Sequence, residues 1–368
     1  MGLKAGIVGL PNVGKSTLFS GLTKMQAERA NYAFTTINPN VSIVELNDPR
    51  LDVLAKLAKA EKIIKATFEF VDIAGLVAGA SKGEGLGNQF LANIREVDLI
   101  VHVLRCFENK DIFHVNQTVD PVRDLEIINL ELILADLQVL EKAYQRIAKR
   151  AQNTQDKKLL AEVDLIKKLM QILENNQMLW EVQLDESEKQ LLKSYQLLTI
   201  KPMLLVANIA ATNAANPDDE AHFAKLKQWA QTKQMSLMAL SAEVETEIAF
   251  IEDPEEKLLF LQEYGLKTSG LDQLSQIAFK NLNLATYFTA GIKEARAWVF
   301  KQGMLAPECA GIIHNDFSKK FICAEIIDYD DYVACGGEKQ AKDAGKMHLE
   351  GKTYQIQDGQ VCTFRIGK

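Results

Sequence analysis

The sequence predicts an α/β protein in which a doubly wound parallel sheet is interrupted by an antiparallel coiled-coil helical arm and followed by a small β-grasp, ubiquitin-like domain. Three observations support this prediction. Apolar runs of strand length alternate with helix-like stretches in the first third of the chain and return near residue 200, which is the pattern of an α/β domain. Between the two parts lie two stretches with heptad-like apolar spacing. After residue 283 the pattern changes to short strand candidates and one helix-like stretch.

The composition is that of an ordinary globular protein, and it limits the classes of partner. The chain has 368 residues, of which 47% are hydrophobic and 25% charged, and its formal net charge is −7. This length suits two or three domains. An acidic chain binds nucleic acid poorly unless it carries a local basic patch, so we expect no DNA partner and only localised contacts with RNA. Neither a signal-peptide apolar region nor a run of membrane-spanning length is present, which predicts a cytoplasmic protein without a membrane partner.

The first strand candidate leads into a phosphate-binding pattern. The run Ala5–Leu10 is apolar, and Gly9–Ser16 (G-L-P-N-V-G-K-S) fits G-x-x-x-x-G-K-[ST] ahead of a helix-like stretch. In this pattern the backbone N–H groups and the positive end of the helix surround the phosphates of a nucleotide. We expect the ammonium of Lys15 to bridge the β- and γ-phosphates as a point charge, and the hydroxyl of Ser16 to bind Mg²⁺. The nucleotide-binding residues predicted here are Gly9, Asn12, Val13, Gly14, Lys15, Ser16 and Thr17.

Two further segments are predicted to complete the metal and phosphate contacts. Asp72-Ile73-Ala74-Gly75 matches D-x-x-G at the end of an alternating strand candidate. We therefore expect Asp72 to hold Mg²⁺ through water and the N–H of Gly75 to meet the γ-phosphate. In an earlier loop, Thr36 is the preferred candidate for the threonine that completes the Mg²⁺ shell. Thr35 is an adjacent alternative that spacing alone does not exclude.

The loop after D-x-x-G has the composition of a nucleotide switch. Its glycines, which give a loop conformational freedom, are Gly75, Gly79, Gly83, Gly85 and Gly87. A loop that binds the γ-phosphate and is released after hydrolysis acts as a switch. Ras-like enzymes carry a water-orienting Gln directly after D-x-x-G, whereas this chain has Leu76 there. Because leucine cannot orient water, we expect either slow hydrolysis or another group in that role.

A helical arm is predicted between the two halves of the α/β pattern. Apolar residues from Ile133 to Ile147, and again from Leu159 to Leu173, are spaced alternately by four and three, and the polar segment Lys149–Lys158 separates them. This spacing is typical of two helices that pack as an antiparallel coiled coil. Two interpretations stay open, a lever or partner-docking arm and a packing insertion with no role of its own.

The strand candidate Pro202–Asn208 ends in a degenerate form of the base-reading motif. GTPases carry N-K-x-D here, with the Asp accepting hydrogen bonds from guanine, whereas this chain reads Asn208-Ile209-Ala210-Ala211. Because Ala211 offers guanine no carboxylate, we expect ATP to bind more tightly than GTP, with a modest margin. Asn208 has the alternative role of a strand-end cap. The base-contacting candidates, including the loop Ser241-Ala242-Glu243, are Asn208, Ile209, Ser241, Ala242 and Glu243.

The last part of the chain is predicted to be a separate β-grasp domain. Asp358-Gly359 is a two-residue hairpin signal, and Glu338–Lys346 is helix-like. The strand candidates are Ala295–Val299, Phe321–Ile327, Thr353–Ile356 and Val361–Ile366, with the hairpin joining the last two.

Together these motifs resemble the YchF family of P-loop NTPases, which is related to Obg, and the resemblance extends over the whole chain. The segments that carry it are Gly9–Thr17, Asp72–Leu76, Lys82–Asn88 (K-G-E-G-L-G-N), the motif at Asn208 and Leu284–Ile292 (L-A-T-Y-F-T-A-G-I).

The resemblance implies a C-terminal TGS domain of the β-grasp fold, hydrolysis of ATP in preference to GTP, and association with ribosomes. It also implies that His114 assists hydrolysis, since a histidine can orient water or accept its proton near neutral pH; a loop histidine without a role is the alternative. Two positions depart from the family. Ala211 stands where members usually have Glu, and Ala33 stands where a Pro commonly precedes the switch threonines.

The sequence thus predicts a Mg²⁺-dependent hydrolase with catalytic residues Lys15 and His114, acting as a ribosome-associated switch in translation or stress response. The G domain is predicted over residues 1–125 and 200–283, the arm over 126–199 and the TGS domain over 284–368. One alternative is a GTP-preferring or promiscuous nucleotide-binding regulatory module with negligible turnover. Another is a P-loop kinase of small molecules, against which D-x-x-G and the glycine-rich loop argue.

Overall fold

The structure is a computed structural model and describes residues 3–29, 40–74 and 85–367. Its strands are β1 (Lys4–Val8), β2 (Val41–Glu45), β3 (Ile63–Ile64), β4 (Thr67–Asp72), β5 (Leu99–Arg105), β6 (Met203–Asn208), β7 (Ser236–Leu240), β8 (Leu284–Ala290), β9 (Ala295–Lys301), β10 (Phe321–Ile327), β11 (His348–Glu350) and β12 (Val361–Ile366). Its helices are α1 (Lys15–Arg29), α2 (Pro49–Ala58), α3 (Gly85–Arg95), α4 (Pro121–Thr154), α5 (Lys157–Glu174), α6 (Glu186–Leu192), α7 (Ala221–Thr232), α8 (Ala242–Phe250), α9 (Pro254–Glu263), α10 (Gly270–Asn281), α11 (Ala306–Ile313), α12 (Asn315–Lys319), α13 (Tyr329–Cys335) and α14 (Glu338–Asp343).

The first sheet is the parallel α/β architecture that the alternating pattern predicted. In the described residues its strand order is β2-β4-β1-β5-β6-β7, and every neighbouring pair from β4 to β7 is parallel. β5 and β6 are buried along their whole length, as expected of central strands that are covered on both faces. Parallel pairing places the carboxyl ends of these five strands at one edge of the sheet.

The described chain divides into two compact units. The first comprises the described parts of Met1–Ser42 and Glu69–Leu271, and the second those of Ile43–Phe68 and Asp272–Lys368. The three-part division predicted from the sequence stays a prediction. Nothing in the sequence pattern indicated that residues 43–68 pack with the C-terminal part of the chain.

In the first unit, α4 and α5 pack against each other and form a long helical pair. The carboxylate of Asp120 accepts the N–H of Arg123 at 3.2 Å and caps the start of α4. Gln155 adopts a left-handed φ of 52° at the end of α4, and Asp156 caps α5 by accepting the N–H of Lys158 at 2.9 Å. The turn between the helices is therefore shorter than the polar segment 149–158 suggested, because α4 continues through its exposed charged residues. Buried residues near the contact include Leu140, Ala143, Ile147 and Ala151 on α4 and Val163, Ile166 and Leu169 on α5.

A buried carboxylate ties the segment after α5 to α4. Asp136 accepts the backbone N–H of Leu198 at 2.9 Å, the N–H of Thr199 at 2.8 Å and the hydroxyl of Thr199 at 2.6 Å. The residue is fully buried, and this burial raises the pKa of its carboxyl group. The three donors satisfy oxygens that would otherwise be buried without partners.

The second unit is built on a mixed sheet with helices. In the described residues the strand order is β11-β10-β12-β8-β9-β3, so a strand from residues 43–68 forms one edge through parallel pairing with β9. The helix α2 lies in the core of this unit, where Leu51 and Leu54 belong to one cluster with Phe288 and Tyr332. The guanidinium of Arg50 also donates to Asp358 at 2.7 Å.

The prediction of a β-hairpin around Asp358-Gly359 is wrong. Thr353–Ile356 is not a strand, and β12 pairs instead with β10 antiparallel and with β8 in parallel. The backbone of this segment bonds to the start of α11, where the N–H of Ala306 donates to the carbonyl of Tyr354 at 2.8 Å. The carboxylate of Asp358 accepts the N–H of Thr286 at 2.9 Å. The turn is therefore hydrogen-bonded to β8 and does not join two paired strands.

In the part of the chain that the structure describes, no helix is long and apolar enough to cross a membrane.

Candidate functional site

The predicted site residues that the structure describes lie at one edge of the first sheet. β1, β4, β5, β6 and β7 run in parallel and end at this edge. Asp72 and Asn208 are the last residues of β4 and β6, and the segments that follow β1, β5 and β7 carry the phosphate pattern, His114 and Ser241 respectively. In open α/β sheets this edge is where ligands bind.

The phosphate loop, residues 9–14, connects β1 to α1 and requires glycine at two positions. A Cβ at Gly9 would lie 2.8 Å from the carbonyl oxygen of Val103, and one at Gly14 would lie 2.0 Å from Nδ2 of Asn208. Gly14 also has a φ of 94°, and Asn12 has a φ of 63°, a left-handed conformation that asparagine tolerates. The helix α1 begins at Lys15, so its unpaired N–H groups face the loop, which is the arrangement of an anion site.

Two predicted side chains are already in contact. Nζ of Lys15 donates to Oδ1 of Asp72, and both side chains are largely buried, at 11% and 22% exposure. The predicted phosphate ligand and the predicted metal-binding carboxylate are therefore brought together by the ends of β1 and β4. A bound phosphate would compete with Asp72 for the ammonium group.

The oxygen groups at this edge fit Mg²⁺. Ser16 is exposed in the first turn of α1, and Asp72 offers a partly exposed carboxylate. No group of three His, Cys, Asp or Glu side chains that could hold a metal occurs among the described residues. Mg²⁺ in phosphate sites is usually bound by one or two protein oxygens together with phosphates and waters, which is the kind of donor set found here. Thr36 and Thr35, Gly75 and Leu76 lie outside the described residues.

Asn208 joins the phosphate loop to the start of α8. Its Nδ2 donates to the carbonyl of Val13 at 2.9 Å, and its Oδ1 accepts the N–H of Ala242 at 2.9 Å. The side chain is 3% exposed. Both ends of this amide are therefore used within the protein, and the residue acts as a bridge between two loops of the site.

The other base-contacting candidates are divided between core and surface. Ile209 and Ala242 are each 2% exposed, so neither presents its side chain to solvent in this structure. Ser241 caps α8 by accepting the N–H of Val244 at 3.5 Å, and Glu243 is exposed. The backbone N–H of Ile209 donates to Leu240 at 3.0 Å.

His114 is buried, and both of its ring nitrogens have partners. Nδ1 accepts the backbone N–H of Asn116 at 3.1 Å, so the ring proton is on Nε2, which donates to Oδ2 of Asp124 at 2.9 Å. Asp124 is fully buried and its other oxygen accepts from Asn116 and Arg123, at 3.1 Å in each case. An imidazole held by a carboxylate in this way has a fixed tautomer and orientation. To act on water, Nδ1 would have to exchange the N–H of Asn116 for the water molecule.

Three residues of this region were missed in the sequence: Arg105, Asn116 and Asp124. Arg105 could have been found, because an arginine directly after the run Leu99–Leu104, which is apolar except for His102, is unusual. It is 1% exposed and burial lowers its pKa. The other two offered no signal, since a polar residue in a loop or a first helical turn is ordinary.

Comparisons with known proteins cover the whole chain. A family model described as "50S ribosome-binding GTPase" matches residues 4–136, and a YchF-GTPase C-terminal model, described as "Protein of unknown function (DUF933)", matches residues 284–367. The chain is 51% identical over 366 residues to the "Ribosome-binding ATPase YchF" of Bacillus subtilis, covering all of both chains. It is 48% identical over 364 residues to the protein of the same name from Escherichia coli O157:H7, covering 99% of each. A solved structure of the Schizosaccharomyces pombe YchF GTPase superposes with a TM-score of 0.89 at 35% identity, covering 99% of this chain and 97% of the other.

Proposed function

Because this chain belongs to the YchF family, we propose that it is a Mg²⁺-dependent nucleotide hydrolase that prefers ATP to GTP and acts as a ribosome-associated switch. The observation that carries the proposal is the contact between Lys15 and Asp72 beneath a glycine-constrained phosphate loop. Such a site binds a nucleotide through its phosphates. The bacterial relatives are named as ribosome-binding ATPases, which supports both the reaction and the partner.

The phosphates would be bound by the N–H groups of residues 9–14 and the first turn of α1. Lys15 would exchange its contact with Asp72 for the β- and γ-phosphates. Ser16, Thr36 and, through water, Asp72 would hold Mg²⁺, with the N–H of Gly75 at the γ-phosphate. When bound, the metal supplies neutralisation of the negative charge that develops on the phosphate oxygens.

Hydrolysis would depend on His114, because Leu76 cannot orient water. The carboxylate of Asp124 keeps the ring proton on Nε2, so Nδ1 is the nitrogen that would orient the attacking water or accept its proton. This is the logic of a base that is oriented by a third group. Since the ring is buried with both nitrogens bonded, each turnover would include a step that frees it, which supports a slow enzyme.

Adenine would be favoured because the residue at the guanine-reading position carries no carboxylate. A buried guanine N–H that is left without an acceptor costs about 1–3 kcal/mol, which corresponds to roughly a tenfold to hundredfold loss of affinity. Adenine needs no carboxylate, because backbone groups of Ile209 and of the loop 241–243 suffice to read it; the N–H groups of Ile209 and Ala242 would first have to release Leu240 and Asn208. The second candidate function is a GTP-preferring or promiscuous nucleotide-binding module with negligible turnover. The relative from Schizosaccharomyces pombe is described as a GTPase, which favours the use of GTP in this candidate but not its negligible turnover.

Ribosome association would use the helical pair as an arm, or the second unit as a TGS domain of the β-grasp fold. Around the end of α4 and the start of α5, basic side chains outnumber acidic ones, although the whole chain carries a net charge of −7. The exposed basic residues there are Lys142, Arg146, Lys149, Arg150, Lys157 and Lys158. The second unit has its own exposed lysines, Lys319, Lys320, Lys339, Lys342 and Lys346. A ribosome-bound role would place the protein in the cytoplasm.

Calorimetric titration of nucleotide-free protein with ATP and with GTP tests the base preference. Tighter binding of GTP would contradict the proposal and favour the second candidate. Phosphate release by the wild type and by Lys15→Ala then separates a hydrolase from a module that only binds, since only a hydrolase loses turnover in the variant.

Co-sedimentation with ribosomes tests the partner and its surface. Replacing the basic residues of the helical pair by glutamine should weaken binding and reduce its dependence on salt, because fewer phosphate contacts are made. The companion variant replaces the lysines of the second unit and tests the other candidate surface. Binding equal to that of the wild type in both variants would exclude both patches, and a wild type that does not sediment would contradict ribosome binding.

A further inference from the structure

The chain ahead of His114 is held by two side chains that neither the phosphate motif nor the catalytic assignment explains. This segment, residues 107–113, is called here the carrier loop; it follows β5 and leads directly into His114. Its backbone carbonyls accept hydrogen bonds from Arg105 at the end of β5 and from Asn12 in the phosphate loop.

Arg105 holds the carrier loop through hydrogen bonds to three of its backbone carbonyls. Its Nε donates to the carbonyl of Phe107 at 3.0 Å, its Nη2 to that of Asn109 at 3.1 Å and its Nη1 to that of Ile112 at 3.0 Å. The guanidinium also lies 4.6 Å from the ring centroid of Phe107. A buried cation is costly unless its donors are satisfied, and here three carbonyls of one loop satisfy them. The planar fork of arginine therefore fixes the curvature of the loop.

Asn12 ties the other end of the carrier loop to the phosphate loop. Its Nδ2 donates to the carbonyl of Phe113 at 3.1 Å, which is the last peptide group before His114. The left-handed φ of 63° at Asn12 belongs to the turn of the phosphate loop. The backbone position of His114 is thus coupled to the loop that would bind the phosphates.

We propose that Asn12 and Arg105 are positioning residues for hydrolysis that act through His114, by fixing the carrier loop at both ends. The inference rests on the function proposed for His114. The ring stays oriented by Asp124 and exchanges the N–H of Asn116 for water at Nδ1, while its backbone stays at a set place beside the phosphate loop. Loss of either side chain keeps the backbone N–H groups of residues 9–14, through which the phosphates would be bound, and lowers the fraction of time that the imidazole is in reach of the water.

Asn12→Gly is the first test, because glycine accepts the same φ and removes only the side-chain tie. One hydrogen bond of ordinary strength corresponds to about a twofold to tenfold effect, so turnover should fall by about that factor. The affinity for ATP, measured by titration, should stay within about twofold of the wild type. Asn176→Gly is the matched control, since Asn176 is exposed and has a φ of 56°, and its turnover should not change.

Arg105→Lys is the second test, because a single ammonium cannot donate to three separated carbonyls as the guanidinium does. We expect a loss of turnover of about tenfold or more, in line with a displaced catalytic group, again without a matching loss of ATP affinity. Thermal unfolding of Arg105→Lys shows whether the first unit is still folded. If this variant does not fold, Asn12→Gly alone decides the proposal.

The double variants decide whether the effect passes through His114. In a His114→Ala background, Asn12→Gly should lower turnover no further, since the group that it positions is gone. Wild-type turnover in Asn12→Gly, or the same loss with and without His114, would overturn the positioning role alone. Wild-type turnover in His114→Ala itself would contradict the proposed role of the histidine and the inference with it.

Discussion

Replacing Asn208 by alanine should destabilise the first unit even when no nucleotide is present. The carboxamide of Asn208 joins the carbonyl of Val13 to the N–H of Ala242, at 2.9 Å in both cases. These three residues are between 1% and 3% exposed. The substitution therefore leaves one buried acceptor and one buried donor without partners.

The expected cost follows from those two groups. An unsatisfied buried group costs about 1–3 kcal/mol, so Asn208→Ala, which leaves two such groups, should lower the free energy of unfolding by about 2–6 kcal/mol. Asn208→Asp should be no better, because it keeps an acceptor for Ala242 but sets a carboxylate oxygen against the carbonyl of Val13. Affinity for ATP and for GTP should fall together, since the phosphate loop loses its support in either case.

Chemical denaturation of the nucleotide-free variants measures this effect. Asn213→Ala is the control, because the amide of Asn213 makes one hydrogen bond, at 2.9 Å to Glu220, in a partly buried position, and should cost less than about 1 kcal/mol. A free energy of unfolding for Asn208→Ala within about 0.5 kcal/mol of the wild type would refute the bridging role. So would a loss of affinity that is confined to one of the two nucleotides.

Three further predictions follow from single side chains. Ser16→Ala should abolish Mg²⁺-dependent phosphate release while leaving the unfolding midpoint unchanged, because Ser16 is exposed; an unaltered Mg²⁺ titration would remove Ser16 from the metal site. His102 is fully buried, and burial lowers its pKa from 6.5 to about 3. Between these two values the unfolded chain binds the proton and the folded chain does not. The free energy of unfolding therefore falls as pH falls from about 6.5 to about 3, by up to about 1.4 kcal/mol per pH unit. His102→Leu should flatten this slope, measured by denaturation across pH, whereas His348→Leu at an exposed position should not, and equal slopes would contradict the assignment. Asp136→Asn removes at least one acceptor from the donors of Thr199 and Leu198, so we expect a loss of about 1–3 kcal/mol, and a melting temperature equal to that of the wild type would argue against the clamp.

The local structure around the site that could be predicted from the sequence is the part specified by consecutive residues. The turn at Gly9 and Gly14 and the start of α1 at Lys15 follow from the local backbone requirements of the phosphate pattern. The strand that ends at Asp72 was visible from alternating apolar residues. Parallel pairing then brings Lys15 and Asp72 together without further information.

What the sequence did not predict depends on contacts between distant segments. The bridge made by Asn208 needs Val13 and Ala242, and no spacing along the chain shows which loop an amide will reach. Asp358-Gly359 has the composition of a hairpin turn, but the carboxylate is bound by Thr286 and Arg50 instead. Local propensity was overridden by tertiary partners in this case.

For the same reason, the sequence did not show which residues pack against the strand β3 and the helix α2. Their residues fall inside the alternating α/β pattern, and the sequence alone does not show that Leu51 and Leu54 pack with Phe288. The amphipathic spacing of α2 fits either environment, and the partner is decided by the shape of the completed core.

The discontinuous second unit has a consequence for the order in which the chain is made. Residues 43–68 leave the ribosome early in synthesis, whereas the β-strands that cover α2 belong to residues 284–367 and are made last. Until then the apolar face of α2, with Leu51 and Leu54, lacks the partners that residues 284–367 supply. We infer that a chain released before residue 284 would carry this face exposed and would aggregate or be degraded. Deleting residues 284–368 would therefore not remove the second unit cleanly, because residues 43–68 belong to it and would lose their packing partners.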